Sequence, residues 1–317
     1  MAKDLSVHQE ACVVDAHTDI PYHLLVRKGS KGDPLLDEHL PLLLEGGLGL
    51  VFANLYSPTH TGALNKVLFQ LAALNRAIEQ SSKLMMIKTG EDLRDSINKE
   101  KIGFLLSMEG LKPLVDDLSL LGIFYHLGLR SASLTWNNRN LFAAGIDETG
   151  GLSTLGRQAI KEMESLGIML DLSHLNEEGF WEALELSSRP VIASHSNAYA
   201  LYRHPRNLKD DQLLAIARQG GVIGINGYFT AEERDQSLNS FLDHVEFILT
   251  VAGEDHVGLG VDFNGYLGNT MVPGLEDAGK FPAITEGLME RGIQTRIIKK
   301  ILGANFIRVL EMVLEEV

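Results

Sequence analysis

The sequence predicts a (β/α)₈ TIM barrel, with extra helices after the last strand. Eight short runs rich in Val, Ile and Leu recur along the 317 residues, and helical patterns fall between most of them. Continuous apolar runs are typical of strands that are buried on both faces, as in parallel sheets. Strands that alternate with helices form βα units, and eight such units predict closure into a barrel.

The individual elements follow from these local patterns. The predicted strands cover residues 12–18, 48–56, 102–108, 131–136, 168–173, 190–195, 221–226 and 257–262. Apolar residues at three- and four-residue spacing predict helices over 65–80, 154–166, 177–187, 209–219 and 238–252. We expect Asn207 to cap a helix that begins near Leu208, and Gly220 and Gly221 to end it. Residues 283–317 are predicted to form further helices packed outside the barrel.

The whole chain, residues 1–317, is expected to form a single domain, because one α/β barrel commonly takes about 250 residues or more. The loops at 28–41 and 264–282 are rich in Gly and Pro and long enough to form rims over a site. A doubly wound open sheet is the alternative fold. It requires a phosphate-binding glycine fingerprint, and the segment GLGVDFNG lacks the G-x-G-x-x-G spacing.

Charge and cysteine content limit the classes of partner. The formal net charge of −14 argues against binding to nucleic acid or to an anionic membrane. Cys12 is the single cysteine, so the chain has no thiolate cluster for a structural metal. The N-terminal stretch lacks an apolar signal-peptide region, and no run has membrane-spanning length. These features predict a cytoplasmic protein.

Histidines and carboxylates stand at the C-terminal ends of the predicted strands, where a barrel builds its active site. His17 and Asp19 lie two residues apart, which places both side chains on one face of a strand. Taken alone, a His-x-Asp pair is more often a surface or core pair than a metal site. The prediction of a metal site therefore depends on the number of histidines and carboxylates at the strand ends. The set consists of His17, Asp19, Glu109, His174, His195 and Asp262. These residue types are ligands of zinc and related ions, so the pattern predicts a metal site.

Several roles stay open at this level. A Glu109 carboxylate buried without a partner would cost several kcal/mol, and one metal or two bridged metals would supply that partner. Asp262 could take a proton from a metal-bound water and later give it to a leaving amine. It could also be a further metal ligand, or a residue that starts a turn. Asp171 is either a partner of a metal-binding histidine or a cap.

The motifs resemble those of the membrane (renal) dipeptidases, zinc dipeptidases with amidohydrolase-like barrels, over nearly the whole chain. The matching stretches are DAHTDIPYHL, LSMEG, DLSH, VIASHSNAYAL, HPRNLKDDQL, GGVIGIN and VGLGVDFNG. This resemblance implies a centre of two zinc ions in which Glu109 bridges. His17 and Asp19 would then hold one ion, and His174 and His195 the other. It also implies that Arg206 binds the free carboxylate of a dipeptide and that Asp262 transfers the proton.

One position departs from the family pattern. A Leu-Thr-His follows the fourth strand in the family, and its histidine contacts the substrate carbonyl, whereas this chain has Trp136 there. An indole N–H donates one hydrogen bond but carries no charge. We therefore expect Trp136 and Asn137 (or its neighbour Asn138) to contact the substrate. The remaining histidines are expected to be solvated, with His23 and His60 within reach of the mouth; they are His8, His23, His39, His60, His126, His204, His244 and His256.

The predicted function is hydrolysis of dipeptides, including those with a C-terminal D-residue, by a homodimeric enzyme with two divalent ions, most simply Zn²⁺. Two alternatives stand beside it. One is hydrolysis of another small amide, such as an N-acyl amino acid. The other is a metal-binding homologue with little turnover that serves as a ligand-binding module, which the change at Trp136 would allow.

Overall fold

The computed structural model describes residues 5–315 and shows a nearly closed parallel barrel surrounded by helices. Its strands are β1 (Val13–Thr18), β2 (Leu48–Tyr56), β3 (Leu84–Met86), β4 (Ile102–Glu109), β5 (Leu129–Ser133), β6 (Met169–Asp171), β7 (Ile192–Ala193), β8 (Val222–Ile225) and β9 (Val257–Leu259). Eight of these run side by side in the order β1-β2-β4-β5-β6-β7-β8-β9. β9 meets β1 where Asp15 Oδ1 accepts a hydrogen bond from Val261 N at 3.0 Å. The predicted TIM barrel is confirmed.

Helices connect the strands and cover the outside of the barrel. They are α1 (Ser6–Glu10), α2 (Ile20–Val26), α3 (Leu40–Glu45), α4 (Ala63–Glu79), α5 (Gly90–Asn98), α6 (Ser119–Leu127), α7 (Thr154–Leu166), α8 (Glu177–Leu186), α9 (Asp210–Arg218), α10 (Leu238–Ala252), α11 (Phe281–Glu290), α12 (Thr295–Lys299) and α13 (Asn305–Glu315). The five helices predicted between strands are present, and β3 pairs only with β4, off the ring. Residues 316 and 317, at the end of the predicted C-terminal helices, lie outside the described residues. Among residues 5–315, no helix is long and apolar enough to cross a membrane.

The predicted cap at Asn207 is wrong. Helix α9 begins at Asp210 with Lys209 in the capping position. The Asn207 side chain instead donates hydrogen bonds to the backbone oxygens of Tyr202 and Phe229, both at 2.9 Å. Asn207 therefore ties the loop before α9 to the loop after β8, a tertiary role that the local sequence does not reveal.

The core inside the barrel is closed at the N-terminal end of the strands by α13. Phe306 of α13 belongs to one buried cluster with Val14 and Ala16 of β1 and Phe52 of β2. The Phe306 ring packs against the Phe52 ring at a centroid distance of 5.7 Å. Because this end is filled with apolar side chains, polar groups that face inward collect at the opposite end.

A register irregularity in β1 aims the first candidate ligand, His17, into the barrel. The pairing of β1 with β2 shifts between Asp15 and Thr18. A bulge places an extra residue in one strand and thereby changes which face the following side chains occupy. Ala16 packs in the interior cluster, and its direct neighbour His17 also faces inward, toward the cavity at the mouth.

Candidate metal centre and active site

A cavity of about 380 Å³ lies at the C-terminal ends of the strands. All of the residues predicted to form the site border this cavity except His195, which lies beneath it in contact with Glu109 and His174. The lining residues are His17, Asp19, Tyr22, Tyr56, Glu109, Trp136, Asn137, His174, Arg206, Asn226, Tyr228, Phe229, Asp262, Asn264, Leu267 and Asn269. The structure thus brings together side chains that are spread over most of the sequence.

Glu109 stands at the centre of the histidines. Its Oε1 atom lies 2.9 Å from Nε2 of His174, 3.6 Å from Nε2 of His195 and 3.7 Å from Nε2 of His17. All four side chains are buried. A buried carboxylate oxygen that faces three imidazole nitrogens is suited to binding a metal ion together with them.

The hydrogen bonds on the far side of two imidazoles show which nitrogen is free to bind a cation. His174 Nδ1 contacts Asn137 Oδ1 at 2.7 Å, and His195 Nδ1 contacts Ser194 Oγ at 2.8 Å. The Ser194 hydroxyl donates its own proton to Asp171 Oδ2 at 2.5 Å, so its oxygen accepts from His195. Both imidazoles therefore carry the proton on Nδ1 and present a lone pair from Nε2.

The two Nε2 atoms of His174 and His195 lie 2.9 Å apart. Two lone pairs at that distance repel each other unless a cation lies beside them, and neutral imidazole is the commonest metal ligand. Divalent ions therefore fit this donor set. Asp171 supports a candidate metal-binding histidine through Ser194, and its Oδ1 also accepts from the backbone N–H of Ser173, as a turn cap does.

A second group of candidate ligands lies on the other side of His17. One ligand atom each from His17, Asp19 and Asp262 lies within 4.8 Å of the others. Asp19 Oδ1 is buried and has no hydrogen-bond partner among residues 5–315. A buried carboxylate oxygen without a donor is costly, and a cation would satisfy it.

Burial dominates the electrostatics of the site. It raises the pKa of the Asp19 and Asp262 carboxyl groups well above the usual range, and neighbouring carboxylates raise them further. It lowers the pKa of His17 to about 4, against the opposing charge of Glu109. The pKa values of His174 and His195 also fall well below the usual range because of burial. Neutral imidazoles and carboxylates that lack a compensating charge are the state that bound cations would stabilise.

Two candidate ligand positions have an unusual backbone. His174 has φ +69° and Asp262 has φ +63°, in the left-handed region that residues other than glycine rarely adopt. Such conformations cost free energy and persist where the surroundings enforce them, often at functional sites. Each lies three residues beyond the end of a short barrel strand, His174 after β6 and Asp262 after β9, so the turn of the backbone there aims the side chains into the mouth.

Arg206 enters the site from the loop between β7 and α9. Arg206 is 4% exposed, and its Nη2 donates to the backbone oxygen of His195 at 3.1 Å. Burial lowers the pKa of Arg206, while the charges of Glu109 and Asp262 oppose that shift. A cationic fork therefore faces the same cavity as the candidate metal ligands.

The remaining predictions meet a mixed outcome. Trp136 forms part of the cavity wall, 5.6 Å from Tyr56 between ring centroids. His60 is exposed and is not among the residues that line the cavity.

The expectation that the other histidines are solvated is wrong for four of them, which are buried: His8, His23, His39 and His244. His23 bonds to His39 at 2.8 Å, and both rings pack on Tyr266 of the 264–282 loop.

Tyr56 and Asn226 are cavity residues that the sequence analysis missed. Tyr56 ends β2, and Asn226 follows β8 directly. The same strand-end position that identified the histidines and carboxylates would have found both residues. A phenol and a neutral amide are not common metal ligands, so the pattern of histidines and carboxylates at strand ends did not include them.

A TIM barrel that gathers three histidines and three carboxylates at its mouth defines a metal-dependent hydrolase. The sequence matches the model of the membrane dipeptidase family, peptidase family M19, over residues 1–316. The chain belongs to this family, and it is a metal-dependent dipeptidase.

Individual relatives agree with this assignment. Dipeptidase verJ of Clonostachys rogersoniana is 29% identical over 341 residues, which cover 99% of this chain and 87% of that protein. Dipeptidase tcpJ of Claviceps purpurea is 33% identical over 293 residues, which cover 86% of this chain and 68% of that protein. The crystal structure of dipeptidase AC, a metallopeptidase of family M19, superposes with a TM-score of 0.89 at 30% identity and covers 96% of this chain and 99% of its own. A metallopeptidase from Rhodobacter sphaeroides, liganded with a phosphinate mimic of the dipeptide L-Ala-D-Ala, gives a TM-score of 0.88 at 28% identity, with coverage of 95% and 99%.

Proposed function

We propose that this protein hydrolyses free dipeptides, including those with a C-terminal D-residue, at a centre of two zinc ions. The observation that carries the proposal is the position of Glu109 Oε1, which lies within 3.7 Å of three imidazole nitrogens. Glu109 would bridge the ions. His17 and Asp19 would hold one of them, and His174 and His195 the other.

Bound divalent ions supply the Lewis acidity that activates water and polarises the scissile carbonyl. Asp262 lies 3.7 Å from His17, measured from Oδ1 to Nε2, and borders the cavity. Its half-buried carboxyl group has a raised pKa, which suits a residue that accepts a proton from the attacking water and returns it to the leaving amine. The peptide C–N bond breaks as the nitrogen of the leaving amine receives the proton from Asp262.

Arg206 would bind the free carboxylate of the substrate. A guanidinium pairs with a carboxylate through two parallel hydrogen bonds, and burial from water strengthens that pair. The cavity of about 380 Å³ is near the lower end for small-molecule sites, which suits a substrate of two residues. Trp136 would contact the substrate from the cavity wall. A D-residue at the C-terminal position is proposed because the relative from Rhodobacter sphaeroides holds a mimic of L-Ala-D-Ala.

The test is a library of L,L and L,D dipeptides incubated with the zinc-loaded protein, with release of free amino groups as the measurement. N-acyl amino acids are included as a second substrate class. Cleavage of dipeptides at turnover numbers of about 1 s⁻¹ or more, in the usual range for enzymes, supports the proposal. Cleavage of N-acyl amino acids alone, or metal binding without turnover of any substrate, contradicts it.

The organisation of the protein adds three further proposals. Residues 1–317 would form one hydrolase domain, which the family match over residues 1–316 supports. The resemblance to the membrane dipeptidases supports a homodimer, to be tested by light scattering of the purified chain. The single cysteine supports a cytoplasmic location, to be tested by cell fractionation.

A further inference from the structure

Asn137 contacts a candidate metal ligand directly. Its Oδ1 atom lies 2.7 Å from Nδ1 of His174, the nitrogen on the far side of the ring from Glu109. An amide oxygen only accepts hydrogen bonds, so this contact places the imidazole proton on Nδ1. Nε2 of His174 then presents a lone pair toward Glu109 Oε1, 2.9 Å away.

The loop that carries Asn137 is fixed to the loop that carries His174. The backbone oxygen of Asn137 accepts from Asp147 N at 3.0 Å, and Gly145 forms a β-bridge with Leu175, the residue after His174. Gly145 also approaches the backbone oxygens of Trp136 and Asn137 so closely that a Cβ atom would collide with both. The backbone of Asn137 is therefore fixed relative to the loop of His174, and this places the Asn137 side chain beside the imidazole.

The three histidines differ in this respect. His195 has an equivalent support, because Ser194 Oγ accepts from its Nδ1 and is bonded to Asp171. His17 Nδ1 has no hydrogen-bond partner among residues 5–315. The pair His174 and His195 is thus oriented from behind, whereas His17 is not.

We infer that Asn137 is a positioning residue, which orients His174 and fixes its tautomer for metal binding. This role differs from direct contact with the substrate, and it rests on the two-ion centre of the proposed function. A partner behind a metal-binding histidine fixes ring and tautomer, and its loss typically costs about 10- to 100-fold in metal affinity. Of the three histidines, Asn137 is hydrogen-bonded to His174. Its loss should therefore weaken the binding of one ion and leave the binding of the other unchanged.

The test is calorimetric titration of zinc into the metal-free protein. Asn137→Leu keeps the approximate size and removes the acceptor, and it should weaken one of two binding steps by about 10- to 100-fold. Asn137→Asp restores an acceptor and should return that step to within a few-fold of wild type. Asn138→Leu is the matched control, because Asn138 is the exposed neighbour on the same loop. It should leave both steps unchanged.

The outcomes separate this inference from the proposed function. Two unchanged zinc steps in Asn137→Leu, together with a raised KM for dipeptides, would overturn the positioning role and make Asn137 a substrate contact. A wild-type protein that binds fewer than two zinc ions would contradict the two-ion centre instead. If the wild type binds fewer than two zinc ions, or if Asn137→Leu does not fold, the tautomer of His174 tests the positioning role instead. ¹⁵N spectra of the metal-free wild-type protein should show His174 protonated on Nδ1, and protonation on Nε2 would overturn it.

Discussion

Arg206 and His195 are joined by a hydrogen bond from the Arg206 guanidinium to the His195 backbone oxygen, at 3.1 Å between Nη2 and O. The residue proposed to bind the substrate carboxylate is therefore anchored to the strand end that supplies a candidate metal ligand. Such an anchor fixes the distance between the carboxylate site and the metal centre. The bond to be cleaved in a dipeptide lies at a constant distance from its C-terminal carboxylate, so this coupling suits a dipeptidase.

Removal of either partner of the proposed carboxylate contact should have the same effect. Arg206→Ala and amidation of the C-terminus of a good dipeptide should each lower kcat/KM. Each loss should correspond to about 2–4 kcal/mol of transition-state stabilisation, as expected for a buried charge-assisted pair. Both changes together should cost little more than either alone, which a double-mutant cycle measures. Arg203→Ala, at an exposed position three residues earlier, is the control. Full additivity of the two changes would contradict the assigned role.

The barrel could be predicted from sequence because its strands are buried on both faces. Each run of Val, Ile and Leu, such as the one in β4, is then continuous and easy to recognise. β3 was not predicted, because Leu84–Met86 spans three residues and pairs with β4 alone. The convergence of Glu109 with His17 followed from the fold itself, because parallel strands in a barrel bring their C-terminal ends to one mouth.

The contacts that orient the ligands could not be predicted. Asn137 and His174 are 37 residues apart, and they meet only because two loops run side by side. The burial of His8 and His244 likewise depends on distant partners, the hydroxyl of Thr285 and the backbone oxygen of Thr230. Local sequence encodes strands and caps, whereas these partners are set by the course of loops in the folded chain.

Metal content provides a direct test of the ligand assignment. Elemental analysis after zinc loading should give about two equivalents per chain, as in two-metal hydrolases. His174→Ala and His195→Ala should each lose one ion preferentially, because the Nε2 atoms of these two histidines lie 2.9 Å apart. His126→Ala, at an exposed position on α6, is the matched control. A stoichiometry of one ion in the wild type would contradict the bridging role of Glu109.

Removal of metal should lower thermal stability as well as activity. Zinc bound to the folded site would stabilise it by RT ln(1 + [L]/Kd), which is about 2.7 kcal/mol at a free zinc concentration of 100 times Kd. Dialysis against a chelator should therefore lower Tm, and added zinc should restore it. His174→Ala should show a smaller shift on zinc addition than wild type. A Tm that does not respond to zinc would argue against ions at this site.

Asp15 should make the stability of the metal-free protein depend on pH. Burial raises the pKa of this carboxyl group to about 7, although the backbone N–H groups of Val261 and His17 lower it. The folded state therefore holds the Asp15 proton between about pH 4 and 7 while the unfolded state releases it, so stability falls as pH rises through that window.

The variant Asp15→Asn removes this titration and isolates its effect. The free energy of unfolding of wild type, relative to Asp15→Asn, should decrease by up to roughly 4 kcal/mol from pH 4 to pH 7 and then level off. Denaturant unfolding at a series of pH values measures it. Asp116→Asn, at an exposed position, is the control for the loss of one carboxyl group. A difference for Asp15→Asn that does not change with pH would show that Asp15 stays ionised in the folded protein.

Turnover, as distinct from metal binding, should depend on Asp262. Asp262→Asn keeps the size of the side chain and an oxygen that can accept from Asn264, and asparagine tolerates the left-handed backbone at φ +63°. The substitution removes the proton acceptor, so kcat should fall by about 10²- to 10⁴-fold, with a much smaller change in KM. Both zinc ions should remain bound. Loss of one ion would instead identify Asp262 as a ligand, together with His17 and Asp19, whose ligand atoms lie within 4.8 Å of it. Near-normal turnover with both ions retained would mean that another group carries the proton.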